Sequence, residues 1–168
     1  MSKFSVAAHT RRAAKNKLKL RAFLRKLGQS KIQLNRYAKQ ADKEVWQEID
    51  CLDCANCCKK MTPTYTKKDI NRIAKHLNMT YQQYFDKYLY IDSNKDIINR
   101  KTPCQFLGKD HKCTIYKIRP DDCRGFPHTN RKDIRYQVQE KTYANNLTYC
   151  PATLVFVEKM QAAVAGKL

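Results

Sequence analysis

Only four glycines occur in the 168 residues, and none belongs to a glycine-rich loop. Phosphate-binding loops and dinucleotide fingerprints need closely spaced glycines, so both are excluded. No apolar run approaches the roughly 18 residues expected of a membrane span. Near residue 1 there is no uncharged apolar segment followed by a small-residue cleavage site, which argues against secretion. No Ser-His-Asp combination suggests itself. Acidic residues are scarce as well: 15 Asp+Glu face 34 Lys+Arg, for a formal net charge of +19. That imbalance predicts attraction to polyanions such as RNA, DNA or an anionic membrane surface.

What the chain does have is cysteine. Four of the eight sit in Cys51-Leu-Asp-Cys54-Ala-Asn-Cys57-Cys58, and Cys104, Cys113, Cys123 and Cys150 follow singly. In an intracellular, reducing compartment such cysteines serve as ligands more often than as disulfides, and a cytoplasmic location is expected. Thiolate is a soft donor that selects zinc, copper(I) or iron–sulfur clusters. A C-x2-C turn brings two sulfurs to one ion. Cys51, Cys54 and Cys57 extend it to the C-x2-C-x2-C of bacterial ferredoxins, although Cys58 replaces the later Cys-Pro of that run. Adjacent residues diverge in direction, so Cys57 and Cys58 are expected to serve two ions or to bridge them. Eight cysteines suit two four-sulfur sites, or one cluster plus a separate site. His111 and His128 are candidate substitutes for a cysteine ligand. Asp121 and Asp122 fit a turn cap after Pro120, or ion pairs with Arg119 and Arg124, whose guanidinium groups can balance thiolate charge.

Residues 1–45 form a distinct basic segment. Thirteen Lys/Arg are opposed there only by Asp42 and Glu44, a net +11. Leu20, Phe23, Leu24 and Leu27 mark one helical face, with Gly28 as its expected stop. Leu34, Tyr37, Ala38, Ala41 and Val45 mark a second, leading into Trp46. Two readings stand: an amphipathic arm for RNA, DNA or lipid, or two helices that pack inward and solvate their basic sides.

Beyond the cluster, Thr66-Lys-Lys-Asp69 predicts a capped helix carrying Ile70, Ile73, Ala74 and Leu77. Asn78 is its expected C-cap, and Thr80 the N-cap of a helix with a core-facing stripe of Tyr81, Tyr84, Phe85, Tyr88 and Leu89. Asp92–Lys95 reads as a turn, and Ile97-Ile98 as a short strand ended by Pro103. Phe106–Tyr116 reads as a hairpin-type turn returning into another strand. Residues 130–147 show no assignable pattern. Pro151 opens a helix bearing Thr153, Phe156, Met160 and Val164.

The ordered set Cys51-x-x-Cys54-x-x-Cys57-Cys58, Pro103-Cys104-x-Phe-Leu, Cys113-x-Ile-Tyr116-x-x-Arg119-Pro120-x-x-Cys123-Arg124-x-Phe126-Pro127 and Cys150-Pro151 resembles the CxxCxxCC (YkgJ-like) cysteine-cluster family of zinc- or iron-chelating domains. The resemblance implies that Cys51, Cys54, Cys57, Cys58, Cys104, Cys113, Cys123 and Cys150 are the metal ligands.

The expected fold is α+β and predominantly helical with a few short strands. A basic helical arm (1–45) precedes a small cysteine-cluster domain (46–168) stabilised by its metal. The expected function is metal binding, with the ferredoxin-like spacing favouring an iron–sulfur cluster over zinc, in a redox or accessory role. The alternative is a nucleic-acid-binding protein with a structural metal site. No catalytic residue is identified.

Overall fold

A computed structural model describes residues 5–139 and 141–168; Lys3 of the basic segment lies outside the described residues. About 60% of the chain is helical, with one two-stranded sheet, a predominantly helical α+β fold as expected. The chain divides into two compact units, residues 1–54 with 127–168, and residues 55–126.

In the first unit, α1 (Val6–Gln29) begins where the Ser5 hydroxyl accepts the Ala8 N–H. Ala13, Leu20, Phe23, Leu24 and Leu27 are buried along one stripe. The helix runs through Gly28, the residue expected to stop it. An added Cβ there would meet Val138 at 3.3 Å, so this glycine permits close approach of α8 (Ile134–Gln139). The helix ends at Ser30 instead. There Arg135 donates to the carbonyls of Gly28 at 3.1 Å and Ser30 at 2.6 Å, a cation placed at the negative end of the helix dipole. α2 (Leu34–Glu48) buries Leu34, Ala38, Ala41 and Val45, while Tyr37 is only half-buried under the Lys167 ammonium.

Two helices, α8 and α9 (Thr142–Asn146), occupy the stretch whose sequence carries no clear pattern. α10 (Pro151–Ala163) starts with Pro151 in its first turn and buries every residue from Pro151 to Val157, so it is a central helix and not a one-sided one. α1 and α2 both pack on α10 and α8. Ion pairs of Lys159 with Glu48 at 2.7 Å and Glu44 at 3.2 Å, and of Arg12 with Glu158 at 2.9 Å, fringe these contacts.

The second unit contains α5 (Lys67–His76) and α6 (Tyr81–Tyr88), each opened by a complete capping box, Thr66 with Asp69 and Thr80 with Gln83. Asn78 adopts a left-handed φ of 54° just after the α5 C-cap Leu77, the geometry that lets asparagine end a helix. β1 (Leu89–Ile91) pairs antiparallel with β2 (Ile97–Asn99). Their turn is held by Asp92, whose carboxylate accepts the Asn94 and Asp96 N–H groups. The aromatic stripe is core: Tyr84 is fully buried and stacks on Phe106 at 6.3 Å. After Phe106 the expected turn forms, but its return makes only the single bridge Leu107–Cys113 and then a 3₁₀ turn at Tyr116–Ile118. Thr114 bonds back to Phe106, and the chain turns away before a strand can extend. No helix among the described residues is long and apolar enough to cross a membrane.

Candidate metal centre

All eight cysteines are free thiols, and the two units divide them. Residues 55–126 carry Cys57, Cys58, Cys104, Cys113 and Cys123. The other unit carries Cys51, Cys54 and Cys150. Among the described residues, no group of three or more His, Cys, Asp or Glu is drawn tightly enough together to hold an ion. Within each unit some of the sulfurs nevertheless act on one another: Cys57, Cys58, Cys104, Cys113 and Cys123 in one, Cys54 and Cys150 in the other.

In the 55–126 unit, Cys57 and Cys58 lie on α4 (Asn56–Lys60). Their Sγ atoms stand 4.0 Å apart despite the roughly 100° between successive helical positions. Two thiolates on one tetrahedral ion, each about 2.3 Å from it, are separated by about 3.8 Å. Adjacency therefore leaves this pair near enough to meet one centre as well as to serve or bridge two. The α4 backbone also anchors Cys104, whose N–H bonds the Cys58 carbonyl at 2.8 Å.

Electrostatics tie four of these thiols together. The bond with Cys57 holds Cys58 down to about 7 against the effect of burial, helped by its own N–H and by the Arg119 and Lys59 charges. Burial pushes Cys104 up to about 11, with Cys58 and Cys113 adding to the rise. Burial likewise raises Cys113 and Cys123, and Cys123 feels Cys104, Cys58 and Cys113 in turn. Such a set resists ionisation together unless a cation enters. Offsetting dipoles are in place. The backbone N–H of Phe106 acts on the Cys104 sulfur and that of Ile115 on Cys113, each from two residues onward. Arg119, fixed 3.7 Å over the Tyr116 ring and bonded to the Tyr116 carbonyl at 2.7 Å, sets its charge beside Cys58 and Cys113.

Cys123 rides on α7 (Asp121–Gly125), a five-residue helix pinned from outside. The Asp121 N–H bonds Asp69 at 3.0 Å, and the Asp122 carboxylate accepts the Thr64 N–H at 3.0 Å. Asp69 is fully buried. Burial works to raise its pKa, but bonds from Thr66, the Asp121 N–H and Arg72 outweigh it and keep the carboxyl below its ordinary value. Arg72 also donates to the Ile118 and Arg119 carbonyls, joining α5 to the loop before α7. Asp69→Ala is expected to destabilise the protein by about 3 kcal/mol, because it removes the acceptor of the Asp121 N–H and of the Thr66 N–H and hydroxyl, while Arg72 keeps its carbonyl partners. Urea unfolding measures that loss, and bound metal should fall with it as Cys123 loses its support.

The sequence alone did not single out Asn99. It is buried at the end of β2, and its Oδ1 accepts from Tyr65 Oη at 2.7 Å and Gln105 Nε2 at 3.0 Å. With the carbonyl end so occupied, Nδ2 has no partner of normal geometry. The side chain acts instead on the Cys104 sulfur, lowering its pKa. A buried donor left over beside a thiol suits a thiolate, which can accept what a protonated sulfur accepts weakly.

In the other unit, Cys51 and Cys54 lie three apart on α3 (Cys51–Cys54), positions that share a helix face. Cys150, the N-cap of α10, is buried. Burial raises its thiol pKa and Cys54 adds to the rise, while the Thr153 hydroxyl and the N–H groups of Thr153 and Ala152 oppose it. His128 lies in this unit and His111 in the exposed Gly108–Lys112 turn of the other; both have left-handed backbones.

A donor set made wholly of thiols, amide dipoles turned on the sulfurs and a fixed arginine fit a thiolate-bound metal centre. The family model for CxxCxxCC, described as "putative zinc- or iron-chelating domain", matches residues 50–151. An uncharacterized protein of Methanocaldococcus jannaschii is 35% identical over 105 residues, 59% of this chain and 50% of the relative. The chain thus spans about half the length of that curated relative. No solved structure matches the chain.

Proposed function

The chain belongs to the CxxCxxCC family of zinc- or iron-chelating domains, and on that premise we propose that it is an iron–sulfur protein. Its role is redox or accessory, and its ligands are the eight cysteines in two sets. Cys58, Cys104, Cys113 and Cys123, with Cys57 beside them, form one set; Cys51, Cys54 and Cys150 form the other. The observation that carries this reading is the all-sulfur donor set with backbone and side-chain N–H groups already turned on it. Phe106, Ile115 and Ala152 offer these amides, and thiolate–amide contacts of this kind set the potential of a bound cluster. The C-x2-C-x2-C spacing favours the cluster over zinc.

The protein's own residues have distinct tasks. Arg119 offsets thiolate charge, Asn99 directs its Nδ2 to Cys104, and Asp69 with Thr64 holds α7 so that Cys123 stays in reach. A bound cluster supplies one-electron transfer at a potential tuned by those contacts.

Anaerobic purification followed by iron, zinc and acid-labile sulfide analysis tests the reading. The expected protein is brown, with iron and sulfide in equal amounts and broad visible absorption. A colourless protein carrying zinc and no sulfide would overturn it.

A further inference from the structure

We propose that the solvent side of α1 binds nucleic acid through the phosphodiester backbone. The helix contains no acidic residue, nor does any position before Asp42. Arg11, Lys15, Lys19 and Lys26 follow the spacing i, i+4, i+8, i+15 and are all exposed. They form one stripe opposite Ala13, Leu20 and Leu24, and at about 1.5 Å per residue it runs about 22 Å. Among the described residues none of the four has a carboxylate partner. Arg12 on the flank does, pairing with Glu158 at 2.9 Å. Arg12 is thus neutralised while the stripe keeps its charge.

The packing selects between polyanions. A helix that lies on a lipid surface needs an apolar face free to enter the acyl boundary. In α1 that face is already buried against α8 and α10. On the solvent side, Leu18 at 83% exposure is the large apolar side chain, too little to anchor a helix in lipid. A stripe of cations without an apolar partner suits a ligand that is all surface charge. Duplex DNA, with about one negative charge per 1.7 Å of axis, is such a ligand, and each phosphate neutralised releases counterions. Pairing of this kind carries no base readout, so binding should be sequence-independent and steeply salt-dependent.

The test uses the full, metal-loaded chain with labelled duplex DNA and single-stranded RNA, titrated by anisotropy between about 50 and 200 mM salt. Phosphatidylserine-containing vesicles provide the lipid arm. The variant R11Q/K15Q/K19Q/K26Q should bind at least about tenfold more weakly at the low-salt end. Its duplex salt slope should fall by about 0.9 for each phosphate that is no longer neutralised, up to about 3.6. Glutamine matches lysine and arginine in helix propensity, so the melting temperature should hold. K15R/K19R/K26R should keep the wild-type slope. A control with the same charge removed from exposed positions in the other unit, K67Q/K68Q/K75Q/K101Q, should bind as wild type. Equal losses in the two glutamine variants would reduce the effect to net charge and overturn the proposal. So would binding to vesicles in preference to both nucleic acids.

Discussion

Removing the metal under anaerobic, reducing conditions should lower the melting temperature by about 10 °C or more. Thiolate sites in small domains contribute about 10 kcal/mol or more to folding. Even half of that corresponds to such a shift in a chain of this size, at about 2–4 °C per kcal/mol. The loss should be uneven. Between Arg100 and Phe126 regular structure amounts to a three-residue 3₁₀ turn and the five-residue α7, yet Cys104, Cys113 and Cys123 all lie there. Most backbone bonds within the stretch close single turns and do not build an extended helix or sheet, so metal–sulfur bonds are expected to add much to its order. By contrast, α1, α2 and α10 bury continuous apolar faces that involve no cysteine except Cys150. Far-UV circular dichroism should therefore keep most of its helical signal while the near-UV signal of Tyr65, Tyr84 and Tyr116 collapses. A metal-free, fully reduced sample with native melting temperature and near-UV spectrum would show that the cysteines do not hold the fold.

Helix starts were the most legible part of the fold, because they depend on residues a few positions apart. The Thr66 and Thr80 caps, the Ile70–Ile73–Ala74 face and Pro151 at the head of α10 all follow from local pattern. Gly28 misled for a physical reason. A glycine ends a helix when a left-handed residue is needed, but here it was needed for contact with Val138, which lies 110 positions away in sequence. The helices between Ile134 and Asn146 were not legible because tertiary contacts stabilise them: Tyr143 packs on Phe156 at 5.1 Å and bonds the His128 carbonyl. At the candidate site the cysteines were evident as residues, and the supports around them were not. Asp69 was visible as a helix cap, but its grip on Asp121 spans 52 positions. Asn99 acquires its meaning only when Tyr65 and Gln105 occupy its carbonyl oxygen.

Single cysteine substitutions should separate the two sets. Cys123→Ser removes a sulfur that feels Cys104, Cys58 and Cys113, whereas Cys150→Ser removes one that feels Cys54. Each variant should lose the metal of its own set and keep that of the other, so their metal contents should add up to the wild-type value. Cys104→Ser should behave like Cys123→Ser, since Cys104 faces the same partners and is tied by its N–H to the Cys58 carbonyl. Stability should divide the same way. Cys123→Ser should loosen the segment from Arg100 to Phe126, read as faster amide exchange at Thr114 and Phe126, whose N–H groups bond Phe106 and Asp122. Cys150→Ser should leave those amides protected and act at the start of α10, where Leu154 N–H bonds the Cys150 carbonyl. Cys57→Ser is the discriminating case. With its sulfur 4.0 Å from that of Cys58, its loss should deplete the Cys58 set alone. If any one of these substitutions empties the protein of metal entirely, the eight cysteines serve one centre, and the division into two sets is wrong.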